Sequence, residues 1–474
     1  MWAAGISFLA TSLSAATFIG GPQQAFNGDL TYLLSVVGSI IAVIVVALFF
    51  VPRFYRHHVT TVYGLLGKSI GTPAMLSASA SFLLGRVFAS GARIYIAALP
   101  ASLIIFGDIE MGHQLTAITV LTIVGIVYTL VGGIKSVIWT DCIQMVIFVG
   151  AAIAAALLLL MKIPVSFPEI LGALEFPVDG SSSKLQFFKF GVDGIGSRET
   201  YTLLTAIFGF SLLNIGAYGA DQDMAQRLLT CRSSAKGSWS AVIAIIINIP
   251  VSMLFMGIGL LLYIFYSRPD IMGSTAPNYV MDNSREVFLS FVLHEMPTGM
   301  SGLMLAGLFA AGLSSLNSAL NAMSSAFIND FYKRLCSNRS EKHYLLVSRF
   351  GVVIFGIILG MFGMFSAFWQ KKNPDTTLID FALTVMIFSY SGLVAVFLTA
   401  IFTKRGSSTS VIAALVMGFT LIIVMQTTHI DNISVRELIA FPWQMSIATL
   451  VSFGVCCMGK RKVKNEKRKT KSGK

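Results

Sequence analysis

The chain has 474 residues, of which 55% are hydrophobic and only 12% charged, with a formal net charge of +12. A soluble globular domain carries about 25% charged residues, so this composition excludes one and points to lipid as the solvent. The positive excess does not imply nucleic acid, because nine of the 34 Lys and Arg lie between Lys460 and Lys474, beyond the last apolar run. A hydrophilic tail beside a bilayer, in contact with anionic lipid, explains them.

In chain order, apolar runs bounded by breakers place spanning helices near 4–20, 30–52, 73–98, 113–131, 137–161 and 201–221, then near 239–266, 291–327, 344–369, 377–402, 408–426 and 442–459. Buried strands last about four to eight residues, whereas a spanning helix needs about twenty. Thr31 to Phe50, Gln144 to Met161 and Ser238 to Phe265 run that long or nearly so without a charged residue. The expected fold class is therefore an all-α polytopic membrane protein of about 12 spans, residues 1–459, followed by a basic tail, 460–474.

Short cytoplasmic connections carry the Lys and Arg excess. One alternate set of loops plus the tail holds 22 of them, the opposite set nine, and Arg86, Arg93 and Arg349 lie inside spans. With twelve crossings, both ends of the chain are expected to be cytoplasmic, in a multi-pass protein of the plasma (inner) membrane. Cys142, Cys231, Cys336, Cys456 and Cys457 all fall toward the same inner side, so no disulfide framework is indicated. Of two Asn-X-Ser triplets, Asn338 would be cytoplasmic and Asn432 external. Lipid-facing and subunit-facing apolar surfaces are alike in composition, so oligomeric state stays open.

Unpartnered polar groups are costly in hydrocarbon, and three clusters call for an explanation. In the first span, Ser7, Thr11, Ser12, Ser14 and Thr17 precede Gly20, Gly21 and Pro22. Such hydroxyls either bond back to their own helix or glue neighbours; the flanking Gly and Pro also allow a broken helix whose freed carbonyls hold a cation. In the eighth span, Ala311, Ser314, Ser315, Ser318, Asn321 and Ser325 recur at spacings of three and four and share one helical face. Neutral oxygens with few carboxylates suit a weakly held monovalent cation such as sodium, since magnesium or calcium sites bring more carboxylate.

The third cluster is charged. Asp141 sits one turn into a span and is either a functional acid or an interfacial one; Arg86 and Arg93 share a face of 73–98 and require a counter-ion or an anionic ligand. Asp221, Asp223 and Arg227 form a candidate gate network in the following inner connection. The phosphate-loop, HExxH and CxxC patterns are absent from the sequence, and no motif argues for an enzyme. An ion channel, or a transporter-like sensor, is the competing class; neither a carbonyl filter repeat nor an appended signalling domain is recognisable.

The stretches GISFLATSLSAATFIGGPQQAF from Gly5, YTLVGGIKSVIWTDCIQ from Tyr128, GADQDMAQRLL from Gly219 and AGLFAAGLSSLNSALNAMSS from Ala306 resemble the sodium/solute symporter family. That resemblance implies LeuT-like inverted five-helix repeats, about 1–161 and 201–402, with peripheral helices at 408–459. It further implies a broken first helix, alternating access, and sodium and a small-molecule solute bound near the bilayer midplane. Family solutes range over sugars, sialic acid, proline, vitamins, monocarboxylates and iodide. Members normally have one more helix before the broken one, so a segment upstream of Met1 is expected, loss of that helix with function retained being the alternative.

The same resemblance places the main sodium site on the carbonyls of Ala10, Leu13 and Ala311 and the hydroxyls of Ser314 and Ser315. A second site of sialic-acid-transporting members maps onto Asp141, Ser314, Asn317 and Ser318, Asn317 replacing a Ser and putting a second ion in doubt. The carboxylate-binding Arg of those members maps onto Arg86, and the first-helix hydroxyls onto Ser12, Ser14 and Thr17. A second-helix Gln is replaced by Val36, which cannot donate a hydrogen bond. The expected activity is sodium-coupled import of an acidic solute, a sialic acid, other acidic sugar or carboxylate, with a neutral sugar or polyol as the alternative.

Overall fold

In the computed structural model, residues 1–131, 134–178, 180, 182–191, 198–276, 284–373, 376–430 and 433–461 are described. Among them, eleven helices are long and apolar enough to span a bilayer, and two half-helices bent by 57°, Trp2–Ser12 and Ala15–Asn27, bring the count to twelve when taken together as one broken span. The continuous spans are Thr31–Arg56, Thr72–Phe106, Met111–Leu130, Val137–Lys162, Leu203–Ala220 and Ser234–Ser267, followed by Thr298–Leu335, Glu341–Lys372, Leu378–Phe402, Ser408–Thr427 and Phe441–Met458. The tail beyond Arg461 and Asn432 lie outside the described residues.

Outward faces carry apolar side chains, as a lipid solvent requires: Val146, Leu346, Phe350, Val416 and Leu450 are all exposed. Polar residues collect in the interior instead, where Arg86, Asp141, Asp221, Asp223 and Arg227 are all buried. Beyond the helices, the only named strands among the described residues are His429–Ile430 and Ile433–Ser434, a two-residue antiparallel pair.

The break in the first crossing does not fall at Gly20, Gly21 and Pro22, the strongest breakers in its sequence. Those three lie inside the half-helix Ala15–Asn27, where small residues permit close approach. A Cβ on Gly20 would come 2.8 Å from the Ile379 side chain, and one on Gly259 of the seventh span 2.3 Å from the Pro22 carbonyl oxygen. The chain breaks at Leu13, which is extended (φ −84°, ψ 122°), and Ser14 (φ −131°, ψ −178°). Ser14 then restarts the helix by accepting the Ala16 N–H at 3.3 Å, the capping role that Ser fills well.

A second boundary also differs from expectation. The run near 291–327 divides into Val287–His294 and a spanning helix from Thr298. Pro297, extended at ψ 143°, separates them because it offers no N–H to a continuous helix. Four π-helical turns interrupt the spans at Val46–Phe50, Ala206–Phe210, Gly216–Ala220 and Phe327–Tyr332. Two of these lie in the sixth span, and the second, Gly216–Ala220, leads directly into Asp221, the cap of the short helix Gln222–Leu229. Such turns mark functional sites more often than chance, and here they deliver the charged residues to the interior.

Candidate functional site

The last turn of Trp2–Ser12 leaves carbonyls with no partner further along its helix, and the break exposes them toward the fifth and eighth spans. Ala10, Leu13, Ala311 and Ser314 line one small internal gap together with Gln144, Met145 and Phe148. Ser315 is adjacent in sequence, and its hydroxyl is buried without a hydrogen-bond partner among the described residues. The Ser314 hydroxyl donates to the Asp141 carboxylate, which turns its lone pairs away from that acid. Backbone carbonyls and hydroxyls in this arrangement fit a small monovalent cation.

A cavity of about 110 Å³ opens on the other side of the break. Ser12, Leu13 and Thr17 line it from the first crossing, and Arg86 and Arg93 from the third span. Ser14 is not among the lining residues; its hydroxyl caps the second half-helix. Val36, Phe210, Leu383 and Met386 supply apolar wall, while Asn214, Asn248, Ser252 and Tyr390 supply polar groups. These last four come from helices far apart in sequence, and nothing in their local pattern marks them.

Behind the cavity lies a buried charge network. Arg86 donates to Asp221 Oδ2 through Nη1 at 2.9 Å and to Asp223 through Nη2. Tyr390 donates its hydroxyl to the same oxygen of Asp221. Arg227 pairs with Asp223 at 2.7 Å and with Asp141 at 3.4 Å. Asp141 is thus a fully buried acid and not an interfacial one. The clustered Asp221, Asp223 and Arg227 do form a network, but Arg86 belongs to it as well, across more than a hundred residues of sequence.

Asn317 and Ser318 are drawn into other contacts. The Asn317 amide oxygen accepts from Thr129 at 2.9 Å, and the Ser318 hydroxyl accepts from Arg227. Arg93, by contrast, pairs with no carboxylate among the described residues; a Met386 sulfur lies 4.0 Å from its Nη2.

A helical bundle with a discontinuous helix, whose break faces both a cation-sized gap and a buried polar cavity, defines a secondary transporter. The chain belongs to the sodium:solute symporter family, whose model matches residues 1–418, and it couples sodium to symport of an organic solute. Similar proteins include the sodium/sialic acid symporter SiaT of Proteus mirabilis, 27% identical across 88% of this chain and 80% of that one. The sodium/sialic acid symporter NanT of Aliivibrio fischeri is 25% identical across 89% and 79%. A solved substrate-bound, outward-open sodium-coupled sialic acid symporter aligns with a TM-score of 0.76 and 25% identity, covering 96% of this chain and 89% of its own. Mhp1, a nucleobase-cation-symport-1 transporter, shares the fold at a TM-score of 0.56 and 15% identity, over 96% and 91%. The architecture is therefore LeuT-like.

Proposed function

We propose that the imported solute is acidic, a sialic acid, another sugar acid or a small carboxylate, held between Arg93, Arg86, Ser12 and Thr17, with Ser14 fixing the backbone behind them. The observation that carries this reading is the state of Arg93. The carboxylates of Asp141, Asp221 and Asp223 are engaged by Arg86 and Arg227, while Arg93 reaches the cavity without an ion pair to any described carboxylate. A guanidinium inside a membrane protein calls for an anionic partner, and a solute carboxylate provides one. Two relatives are named as sialic acid symporters and a third as a monocarboxylate transporter, in keeping with an acid. A neutral sugar or polyol is the second reading, favoured by the amide and hydroxyl groups of Asn214, Asn248 and Ser252.

The sodium that drives import binds, on this reading, to the carbonyls of Ala10, Leu13 and Ala311 and the hydroxyls of Ser314 and Ser315. Bridging the first and eighth spans, it stabilises the conformation that also forms the solute cavity, so each ligand raises the affinity of the other. The two repeats are assigned to about 1–161 and 201–402, with 408–459 peripheral. The protein sits in the plasma membrane with its C-terminus cytoplasmic. The test is a thermal-unfolding screen of the detergent-purified protein against sialic acids, sugar acids, carboxylates and neutral sugars, run in sodium and again in potassium. An acidic compound should raise the midpoint, and more so in sodium; stabilisation by neutral sugars alone would refute the acidic reading.

A further inference from the structure

We propose that the groove between the fourth and ninth spans binds one anionic phospholipid, its phosphate paired with Arg349 and an acyl chain laid along the groove. The site lies toward the start of the ninth span, on the membrane face where the twelfth span ends.

Arg349 stands eight residues into the helix Glu341–Lys372, about 12 Å along its axis at 1.5 Å per residue. Its neighbours Leu345, Leu346 and Phe350 are exposed on the outside of the bundle, and so is Arg349 itself. Arg86 and Arg227 are paired with carboxylates, but Arg349 forms no hydrogen bond or ion pair with any described residue. A guanidinium at membrane depth requires a counter-ion. With none supplied by the described residues, the surrounding lipid is the source at hand.

The helix face that carries Arg349 is also the one that meets the fourth span deeper in the membrane. Gly356 is seven residues further on and shares that face; a Cβ there would lie 2.3 Å from the Ile126 side chain, and one on Gly360 2.8 Å from Thr122 Oγ1. Toward the start of the ninth span this close contact ends and the two helices part. Leu130, Leu346, Val347, Phe350 and Val353 then line, with Arg349, a groove of about 850 Å³, within the range of about 300–1,000 Å³ usual for ligand pockets. Five apolar walls accept hydrocarbon and would gain nothing from a free anion, while the one cation accepts a phosphate. An anionic phospholipid joins these two chemistries in one molecule, and basic pockets between spanning helices hold such headgroups. A zwitterionic lipid brings its own ammonium and so offers Arg349 less net charge.

Native mass spectrometry of the detergent-purified protein, titrated with phosphatidylglycerol and separately with phosphatidylcholine of the same acyl chains, tests the proposal. The wild type should retain phosphatidylglycerol at lower concentration than phosphatidylcholine. Arg349→Gln should weaken the first phosphatidylglycerol about tenfold and erase that preference, the loss of one charge-assisted hydrogen bond, whereas Arg349→Lys should keep most of it. Arg405→Gln removes an exposed charge outside the groove on the same membrane face and should change nothing. Leu346→Trp, at a position 67% exposed, fills the groove with the guanidinium kept and should weaken both lipids, which provides a second variant should Arg349→Gln fail to fold. A phosphatidylglycerol preference that survives Arg349→Gln, or is lost equally in Arg405→Gln, would overturn the proposal. Displacement of the lipid by an equal concentration of inorganic phosphate would make this a site for a free anion, and a dimer lost in Arg349→Gln would make it an interface between two copies of the chain; either would also overturn it.

Discussion

Arg86 and Asp221, 135 positions apart in sequence, meet at 2.9 Å in the buried interior, and this pair ties the third span to the turn that follows the sixth. Asp221 also caps the helix Gln222–Leu229 by accepting the Asp223 N–H at 2.8 Å. A single carboxylate thus orders a helix start and neutralises a guanidinium that lines the cavity. Breaking a buried pair by removing one partner costs about 3–5 kcal/mol. Asp221→Asn is therefore expected to lower the thermal midpoint of the purified protein markedly. Asp270, whose side chain is 50% exposed in its bridge to Arg268, gives the contrast: Asp270→Asn should change stability by less than about 1 kcal/mol.

Ser315→Ala removes a hydroxyl that bonds to no protein group among the described residues. In potassium its midpoint should match that of the wild type, since no protein hydrogen bond is lost. In sodium the stabilising effect should require about tenfold more ion, equivalent to about 1.4 kcal/mol of binding. Parallel unfolding curves at a series of sodium concentrations separate the two effects.

Arg93→Gln should abolish stabilisation by acidic solutes while leaving the sodium response intact. Arg93→Lys keeps the charge but not the planar fork and should retain a weakened response. Equal responses of both variants and the wild type to an acidic ligand would remove Arg93 from the solute site.

Close helix contact supplies a further test. A Cβ at Gly38 would lie 2.7 Å from the Ala206 carbonyl oxygen and 2.8 Å from the Ser211 nitrogen, both backbone atoms that cannot swing aside. Gly38→Ala should destabilise by about 1–3 kcal/mol through overpacking and slow sodium-driven uptake in proteoliposomes. Gly257→Ala, where an added Cβ meets nothing within 4 Å, should do neither.

Spans, polar face and buried acid were legible because each is written locally. Twenty apolar residues announce a span, and Ala311, Ser314, Ser315 and Ser318 announce a face by their spacing alone. The break was legible only in kind. Gly20, Gly21 and Pro22 are stronger breakers than Ser12, Leu13 and Ser14 by intrinsic propensity, but packing against Ile379 and Gly259 holds them in a helix, and the hydroxyl of Ser14 restarts the chain. Arg86 and Arg93 look equivalent in sequence, seven residues apart on one face. Asp221 and Asp223 arrive from a distant segment and claim only the first. Asn317 could be seen to depart from the family pattern, yet its commitment to Thr129 depends on how two spans approach each other.

The joint at Leu13 and Ser14 has an electrostatic consequence. A helix carries partial negative charge at its C-terminus and partial positive charge at its N-terminus. One half-helix ends at Ser12 and the next begins at Ala15, so both poles are presented within three residues. The negative pole lies beside the gap lined by Ala10 and Ala311, and the positive pole leads into Thr17 on the cavity wall. A cation and an acid bound at these two poles would together add no net charge to the interior. Their joint passage through a medium of low dielectric constant would then be less costly than that of either alone.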